Sequence, residues 1–334
     1  MARETAVIGA TGMIGHHTAR EIQSAGHRLR VIHRQGSRLE QLADLAPYES
    51  RVADLDDTAG LIHALQGCDG VVNCAGYYPT VPRPWREDVK RGLDQMENFY
   101  RACDEAGLRR IVYVGGAIAL QKNPTGAPGH EGLEYVAQPE NRNPYVQVKW
   151  AMDDLAMRKA RAGLPVMIGI PAMTIGEFDY GPTTGAFVVE TANGTLPGYV
   201  NGRRNVIYAG DAGRGLLAVL ERGQPGRRYL LTGQNMELAE LIQMIAEQAG
   251  VVRPPRALPL GLVRLVGALQ SLRYRLKLGP PPKISKTAIA VMAAGQFLSG
   301  ERAARDLGFE AQVSVEEAVT RALSWFREIG YIKE

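Results

Sequence analysis

Residues 5–15 read Thr-Ala-Val-Ile-Gly-Ala-Thr-Gly-Met-Ile-Gly and join an apolar run to an amphipathic stretch near 13–25. Glycines at a strand-to-helix turn allow a tight turn, a close approach of the backbone to a phosphate, and close packing of the helix on the strand. Unpaired N–H groups at the start of the helix then face the phosphate. The loop is therefore predicted to bind the pyrophosphate of a dinucleotide, through Gly9, Thr11, Gly12, Met13, Ile14 and Gly15.

This loop opens a longer alternation of strand-like and helix-like segments. Amphipathic stretches near 57–66, 85–106 and 145–162 separate runs that are too apolar to face water. A parallel sheet covered by helices on both faces buries such runs. The runs are Thr5–Gly9, Leu29–His33, Gly70–Cys74, Arg110–Gly115 and Pro165–Ile170.

The rhythm changes after Pro171, where glycine and proline become dense up to residue 203. Two more strand-like runs follow at Asn205–Tyr208 and Arg228–Leu231, and the C-terminal third reads as helices broken by prolines. We therefore predict an α/β protein with a Rossmann-type doubly wound parallel sheet and a smaller, mostly helical C-terminal substrate lobe. The predicted boundaries are 1–170 for the sheet domain, completed by parts of 204–232, and 171–334 for the lobe.

The composition is that of a globular protein, because 45% of the 334 residues are hydrophobic and 22% are charged. A net charge of only +4, without long runs of one sign, does not favour nucleic-acid binding. The three cysteines have no CxxC spacing, so we expect free thiols in a reducing cytoplasm and no metal site. The sequence suggests neither a signal peptide nor a membrane span, which would need about 18 apolar residues.

The Gly-x-x-Gly-x-x-Gly spacing of residues 9–15 resembles the extended short-chain dehydrogenase/reductases, the NAD-dependent epimerase/dehydratase family. Further segments resemble the family in chain order, up to Phe297–Phe309, so the resemblance covers almost the whole chain. Dihydroflavonol-4-reductase-like and hopanoid-associated sugar-epimerase-like proteins are the most similar groups. The resemblance implies cofactor contacts at Asp54 and Leu55 (adenine), at Ala75 and Gly76 (cleft lining) and at Pro171 (nicotinamide).

The end of the second strand indicates which dinucleotide is bound. Enzymes that prefer NAD usually carry a carboxylate there, which binds the 2′-hydroxyl of the ribose. Here Arg34 ends the run and Arg38 follows, and two guanidinium groups suit a 2′-phosphate through charge-assisted hydrogen bonds. We therefore favour NADP(H) as cofactor, with NAD(H) as the alternative and solvated surface arginines as the simpler explanation.

Residues 143–149, Asn-Pro-Tyr-Val-Gln-Val-Lys, carry the most chemistry. Asn143 suits a helix N-cap and Pro144 the first helical position, so Lys149 follows Tyr145 by about one turn on the same face. A nearby ammonium is expected to lower the pKa of a tyrosine from about 10 toward a useful range. By resemblance, Tyr145 exchanges the substrate's hydroxyl proton, while Lys149 also holds the nicotinamide ribose.

Two other positions depart from the family's pattern. Gly116 stands where the family places a Ser or Thr that bonds the substrate oxygen, and Gly92 stands where it commonly has Asn. Losing one positioned donor typically costs about 10²–10³ in rate, so altered chemistry, a substitute donor or no catalysis all remain open. The candidate substitutes are Tyr78, Thr125, Thr174 and the backbone N–H groups of Gly115 and Gly116.

Three functions fit these observations. The favoured one is an NADP(H)-dependent oxidoreductase acting on a secondary alcohol or ketone. The second is a nucleoside-diphosphate-sugar epimerase or dehydratase, which usually holds NAD, and the third is a non-catalytic NADP(H)-binding regulator.

The remaining expectations concern partners. Residues 259–277 carry leucines at helical spacing together with arginines, which suits a weak membrane-surface contact, a cover for an apolar substrate, or a helix that packs between lobes. By resemblance, a homodimer would form through the helices near 85–106 and 145–162. His16 and His17 are expected to be ordinary helix-face residues.

Overall fold

The computed structural model describes residues 3–79, 83–276 and 295–333. Its main sheet has seven parallel strands in the order β3-β2-β1-β4-β5-β6-β9. The predicted Rossmann-type fold is thereby confirmed. The strands are β1 (Glu4–Ile8), β2 (Arg28–His33), β3 (Glu49–Val52), β4 (Gly70–Asn73), β5 (Arg110–Val114), β6 (Val166–Pro171) and β9 (Arg228–Leu231).

Helices cover both faces of this sheet and bury its apolar strands. On one face, α1 (Met13–Ser24) and α6 (Ala209–Arg222) form a hydrophobic cluster with strand residues such as Val7. On the other face lie α2 (Thr58–Leu65), α3 (Trp85–Glu105) and α4 (Pro144–Arg161). Side chains on both sides of β1 are therefore buried, which explains its unbroken apolar sequence.

A second, three-stranded sheet forms the core of the C-terminal lobe. Its order is β10-β8-β7, and β8 pairs antiparallel with β10 and parallel with β7. The strands are β7 (Met173–Ile175), β8 (Arg203–Tyr208) and β10 (Gln234–Glu237). The helices are α5 (Gly185–Ala192), α7 (Leu238–Ala249), α8 (Leu260–Arg275), α9 (Glu301–Leu307) and α10 (Val315–Glu328).

The strand order locates the place where a ligand binds. The chain builds the sheet outward from β1 to β3 and then returns to add β4 on the other side of β1. In such sheets, ligands bind outside the carboxyl ends of the strands at this reversal. The glycine loop follows β1 at that point, and the Asn73–Gly76 segment follows β4.

Two further findings bear on the expectations from sequence. Within the described residues, no helix is long and apolar enough to cross a membrane. In the same part of the chain, no group of three or more His, Cys, Asp or Glu side chains is arranged to hold a metal ion.

Candidate functional site

The glycine loop is shaped by contacts that leave no room for side chains. Gly9 has φ +84°, and a Cβ placed on it would lie 3.0 Å from the backbone nitrogen of Ala75. A Cβ on Gly15 would lie 2.2 Å from the carbonyl oxygen of Gly9, so the helix starts directly against the turn. The loop is thus a close-packed backbone cradle, which any side chain at these two glycines would disrupt.

The start of α1 offers a favourable place for an anion. Gly12 is its N-cap, no side chain caps it, and the first turn contains no acidic residue. The helix N-terminus therefore keeps its partial positive charge and its open N–H groups. Because the cradle and the charge coincide, the loop fits the pyrophosphate of a dinucleotide.

A cleft of about 640 Å³ runs along the carboxyl ends of the strands beside this loop. A smaller cavity of about 440 Å³ adjoins it, with Arg34, Ser37 and Asp54 in both linings. These volumes suit an extended small molecule such as a dinucleotide. Of the residues expected to bind the cofactor, the larger cleft is lined by Gly9, Thr11, Arg34, Asp54, Leu55, Ala75 and Gly76.

The other expected cofactor residues are not among those that line this cleft. Gly12, Met13, Ile14 and Gly15 form the first turn of α1, directly after Thr11. Pro171 ends β6, where it pairs with Leu231 of β9.

The two arginines after β2 have no acidic partner among the residues that the structure describes. Arg34 and Arg38 are both exposed, and neither forms an ion pair with a residue that the structure describes. Arg34 lines the cleft, whereas Arg38 lies just before the short helical segment Leu39–Leu45. Arg34 is therefore the better placed of the two to meet a phosphate in the cleft.

The Tyr145–Lys149 segment begins α4 as the sequence predicts. The Asn143 side chain accepts a hydrogen bond of 3.0 Å from the Tyr145 N–H, and Pro144 occupies the first turn. The Lys149 ammonium makes no hydrogen bond or ion pair within the described ranges. A half-buried lysine whose ammonium has free donors fits the hydroxyl groups of a ribose.

Burial has the largest effect on the pKa values of Tyr145 and Lys149. It raises the pKa of Tyr145, and the nearby Tyr78 raises it further. It lowers the pKa of Lys149, while the Asp153 carboxylate partly opposes that effect. The expected lowering of the tyrosine pKa by Lys149 is therefore not found, because desolvation favours the neutral form of both groups.

Of the candidate substitute donors, Tyr78 has a ring contact with Tyr145. Its ring is tilted by 51° against that of Tyr145, with centroids 4.9 Å apart, and it lines the cleft. By contrast, the Thr125 hydroxyl is exposed and donates to the side chain of Asn123. Thr174 is buried within β7, away from the cleft lining.

The two glycines that replace polar residues of the family have different surroundings. A Cβ on Gly116 would lie 3.7 Å from Cδ of Lys149, so a serine fits there beside the lysine. A Cβ on Gly92 would lie 3.3 Å from Val148 and 3.4 Å from the sulfur of Met152, where α3 packs against α4. Gly116 therefore leaves space at the site, whereas Gly92 serves helix packing.

The backbone of Gly115 and Gly116 offers one hydrogen-bond donor. The N–H of Gly115 bonds to the carbonyl of Gly169 in the sheet and is thus unavailable to a substrate. Gly116 begins the short helical segment Ala117–Ala119, and its N–H has no acceptor among the described residues. Only the second of these N–H groups is free to bond a substrate oxygen.

A buried ionic group behind the site was not predicted from the sequence. Asp153 accepts hydrogen bonds of 2.8 and 2.5 Å from Nε and Nη2 of Arg228 on β9, and Arg228 also pairs with Glu134. Asp153 follows Lys149 by one helical turn, a spacing that was visible in the sequence. Arg228 and Glu134 come from distant segments, so no local pattern linked them.

The two histidines after the glycine loop are also more buried than a helix face implies. The His16 ring stacks on Phe178 with centroids 3.7 Å apart, and its Nε2 lies 3.0 Å from the Asp44 carboxylate. His17 lies 3.7 Å from Glu177, and burial lowers its pKa to about 3. Residues from the segment after β7 cover both rings, which local sequence did not indicate.

Comparison with known proteins identifies the family. The family model described as NAD dependent epimerase/dehydratase family matches residues 5–231. The chain belongs to this family. The resemblance expected from the glycine spacing is confirmed, and the family's cofactor is a nicotinamide dinucleotide.

Individual relatives cover the chain almost end to end. A putative dihydroflavonol 4-reductase from Synechocystis is 27% identical, over 98% of this chain and 95% of its own length. Sterol demethylase protein B from Methylococcus capsulatus is also 27% identical, over 98% and 99%. A crystal structure from Pseudomonas aeruginosa, described as a nucleoside-diphosphate-sugar epimerase, is 44% identical with a TM-score of 0.87, over 100% of both chains.

Proposed function

We propose that this protein is an NADP(H)-dependent oxidoreductase that interconverts a secondary alcohol and a ketone. The observation that carries the proposal is the half-buried pair Tyr145 and Lys149, whose tyrosine packs against a residue of the cofactor cleft. An acid and a cation at this end of a dinucleotide cleft are the groups that carbonyl reduction requires.

The proposed chemistry assigns one task to each side chain. When bound, the nicotinamide supplies the hydride for reduction and accepts it in the reverse direction. Tyr145 donates its phenolic proton to the carbonyl oxygen as that oxygen becomes a hydroxyl. The Lys149 ammonium holds the ribose hydroxyls through its free donors, one helical turn from the phenolate that remains.

Tyr78 takes the place of the absent serine in this proposal. A phenol can donate one hydrogen bond to the substrate oxygen, which is the task of the family's Ser or Thr. Its ring contact with Tyr145 and its position in the cleft lining support the assignment. The free N–H of Gly116 is the second proposed donor.

The preference for NADP(H) rests on Arg34 and Arg38. Both lack an acidic partner within the described ranges, so a 2′-phosphate would not compete with an existing ion pair. Replacing Arg34 with Asp supplies the carboxylate that NAD-preferring enzymes carry. Titration calorimetry with NADPH and NADH tests this, and the proposal predicts that the variant exchanges the order of affinity.

A second function, a nucleoside-diphosphate-sugar epimerase, is favoured by the Pseudomonas structure at 44% identity. Epimerization returns the hydride to the same substrate, so no cofactor is consumed overall. Cofactor content therefore separates the two functions. Purified protein that retains NAD and fails to oxidise NADPH with any ketone would support the epimerase, whereas exchangeable NADPH and stoichiometric ketone reduction support the reductase.

A third function, the non-catalytic regulator, is favoured by Gly116. It predicts tight NADP(H) binding without turnover, and an unchanged phenotype when Tyr145 is replaced by Phe. Homodimerisation through α3 and α4 also stays a prediction, and light scattering of the purified chain tests it.

A further inference from the structure

The charge of the chain is divided unevenly. Residues 248–300 contain no Asp or Glu, yet they carry eight Lys and Arg residues. Since the whole chain has a net charge of +4, the residues outside this segment together carry −4. A stretch of 53 residues with net charge +8 is thus joined to an acidic remainder. Its cations are Arg253, Arg256, Arg264, Arg273, Arg275, Lys277, Lys283 and Lys286.

Helix α8 lies within this basic segment and has an uncovered apolar face. Leu262, Leu265 and Leu269 are 49%, 59% and 53% exposed. They are spaced by three and four residues, so they lie on one side of the helix. Leu276, just after the helix, is 58% exposed, and Gly261 and Ala268 next to this row are exposed as well. We call the row Leu262, Leu265 and Leu269 the leucine face.

The opposite side of α8 packs on the protein. Val263 and Gly267 are buried, and Val266 and Gln270 are half-buried. The helix is therefore attached through one side, as expected of a helix that packs on the lobe. That attachment leaves the leucine face unexplained, because the packing of the chain alone does not require three leucines in water.

Exposed cations flank the leucine face at both ends of the helix. Arg253 and Arg256 precede α8, and Arg273 lies in its last turn beside the exposed Tyr274. Leucines on one side, arginines at the flanks and an interfacial tyrosine are the composition of helices that lie in a bilayer interface. Lys277, the last residue of the stretch singled out in the sequence, lies outside the described residues.

We propose that α8 docks this protein onto an anionic membrane surface. The leucine face enters the boundary between headgroups and acyl chains, and the flanking arginines meet lipid phosphates. Charge favours an anionic membrane surface over a second copy of the chain as the partner of the leucine face. Two copies joined through α8 would bring two segments of net charge +8 together, whereas anionic lipid neutralises each of them. No described helix spans a membrane, so the contact is peripheral.

The test uses the full chain and vesicles of defined lipid. Flotation is measured with phosphatidylcholine vesicles and with vesicles that also contain phosphatidylglycerol. We expect binding only to the anionic vesicles, weakened at least about tenfold by salt near 0.5 M, since salt screens the arginines. Absence of binding to anionic vesicles, or equal binding to both compositions, overturns the proposal.

A triple variant, Leu262→Gln, Leu265→Gln and Leu269→Gln, isolates the leucine face. We expect its binding to anionic vesicles to fall at least about tenfold, because the apolar anchor is lost. Val136→Gln is the matched control, since Val136 is 99% exposed and lies far along the chain from α8. Titration with NADPH shows that both variants fold.

Light scattering on the same proteins tests whether a second copy of the chain covers the leucine face. If the wild type is a dimer and the triple variant is a monomer, the leucine faces of two chains pair with each other. That result overturns the proposal. An unchanged oligomeric state together with lost vesicle binding supports it.

Discussion

The rings of Tyr78 and Tyr145 lie 4.9 Å apart, one in the segment after β4 and the other in the first turn of α4. The contact joins the lining of the cleft to Tyr145, the residue that we propose transfers the proton. Gly116, where the family is expected to have a hydroxyl, lies beside the other end of this segment, since a Cβ there would be 3.7 Å from Cδ of Lys149. Tyr145 and Lys149 thus have a second phenol ring, that of Tyr78, packed against their tyrosine.

Replacing Tyr78 with Phe removes the proposed donor and keeps the ring contact. We expect kcat/KM to fall by about a hundredfold, in the range for loss of one positioned hydrogen bond, with NADPH affinity little changed. Steady-state kinetics and calorimetry measure the two quantities. Tyr274→Phe, on α8 outside the cleft, is the control. Full activity in Tyr78→Phe would exclude Tyr78 as the substitute donor.

Replacing Gly116 with Ser restores the family's hydroxyl beside Lys149. The nearest side-chain atom is 3.7 Å from the new Cβ, so we expect normal folding and a raised kcat. Gly115→Ser is the informative control, because its Cβ would lie 2.9 Å from Cγ2 of Ile168 and should cost about 1–3 kcal/mol of stability. Thermal melts and turnover numbers separate the two effects. A lower kcat in Gly116→Ser would argue that the site is organised differently from the rest of the family.

Asp153 places a negative charge one helical turn after Lys149 on α4. Its carboxylate opposes the lowering of the lysine pKa by burial, so Asp153→Asn should lower that pKa further. The pH above which activity is lost through deprotonation of Lys149 should then shift downward. The pH profile of kcat/KM measures this shift.

The same variant should also lose stability. Arg228 would be left buried without its main partner, at a cost of about 3–5 kcal/mol. Asp154→Asn is the control, because Asp154 is more exposed and pairs with Arg158, a surface contact worth about 0.3–0.5 kcal/mol. A profile for Asp153→Asn that keeps its alkaline limb in place would limit Asp153 to a structural role.

His17 makes stability depend on pH. Burial lowers its pKa from 6.5 to about 3, so the unfolded chain takes up a proton that the folded protein excludes. Stability contributed by the neutral ring is full above pH 6.5 and is lost as the pH falls toward 3, by about 2 kcal/mol at pH 5. Urea unfolding measures the free energy of unfolding at pH 7.5 and at pH 5. Between these two pH values, His17→Gln should lose less of this free energy than the wild type does. His63→Gln, on the exposed side of α2, should behave as wild type.

The sequence predicted the parts of the fold that local physics determines. The turn at Gly9 needs a positive φ, and β1 is buried on both faces, so glycine and an apolar run mark both features. The helix start at Tyr145 was equally visible, because Asn143 and Pro144 are the residues that an N-terminus prefers. The pattern of apolar runs did not predict β3. This edge strand has the sequence Glu-Ser-Arg-Val, and its side chains are mostly exposed.

The rest of the site depends on contacts between distant segments. Asp153 and Arg228 are 75 residues apart and meet only because β9 returns to pair with β6. Tyr78 approaches Tyr145 for a similar reason. His16 and His17 were predicted as ordinary helix-face residues, yet they are covered by a segment of the second lobe. Such contacts follow from the assembled fold and leave no local pattern.

In the proposed reaction, Tyr145 protonates a carbonyl that is reduced at the expense of NADPH. Its most direct test follows NADPH consumption by the wild type and by Tyr145→Phe over a panel of ketones. We expect steady turnover of at least one ketone by the wild type, and a loss of at least about a hundredfold in the variant, with NADPH affinity preserved. Equal turnover by both proteins would contradict it, as would tight NADPH binding without turnover of any ketone.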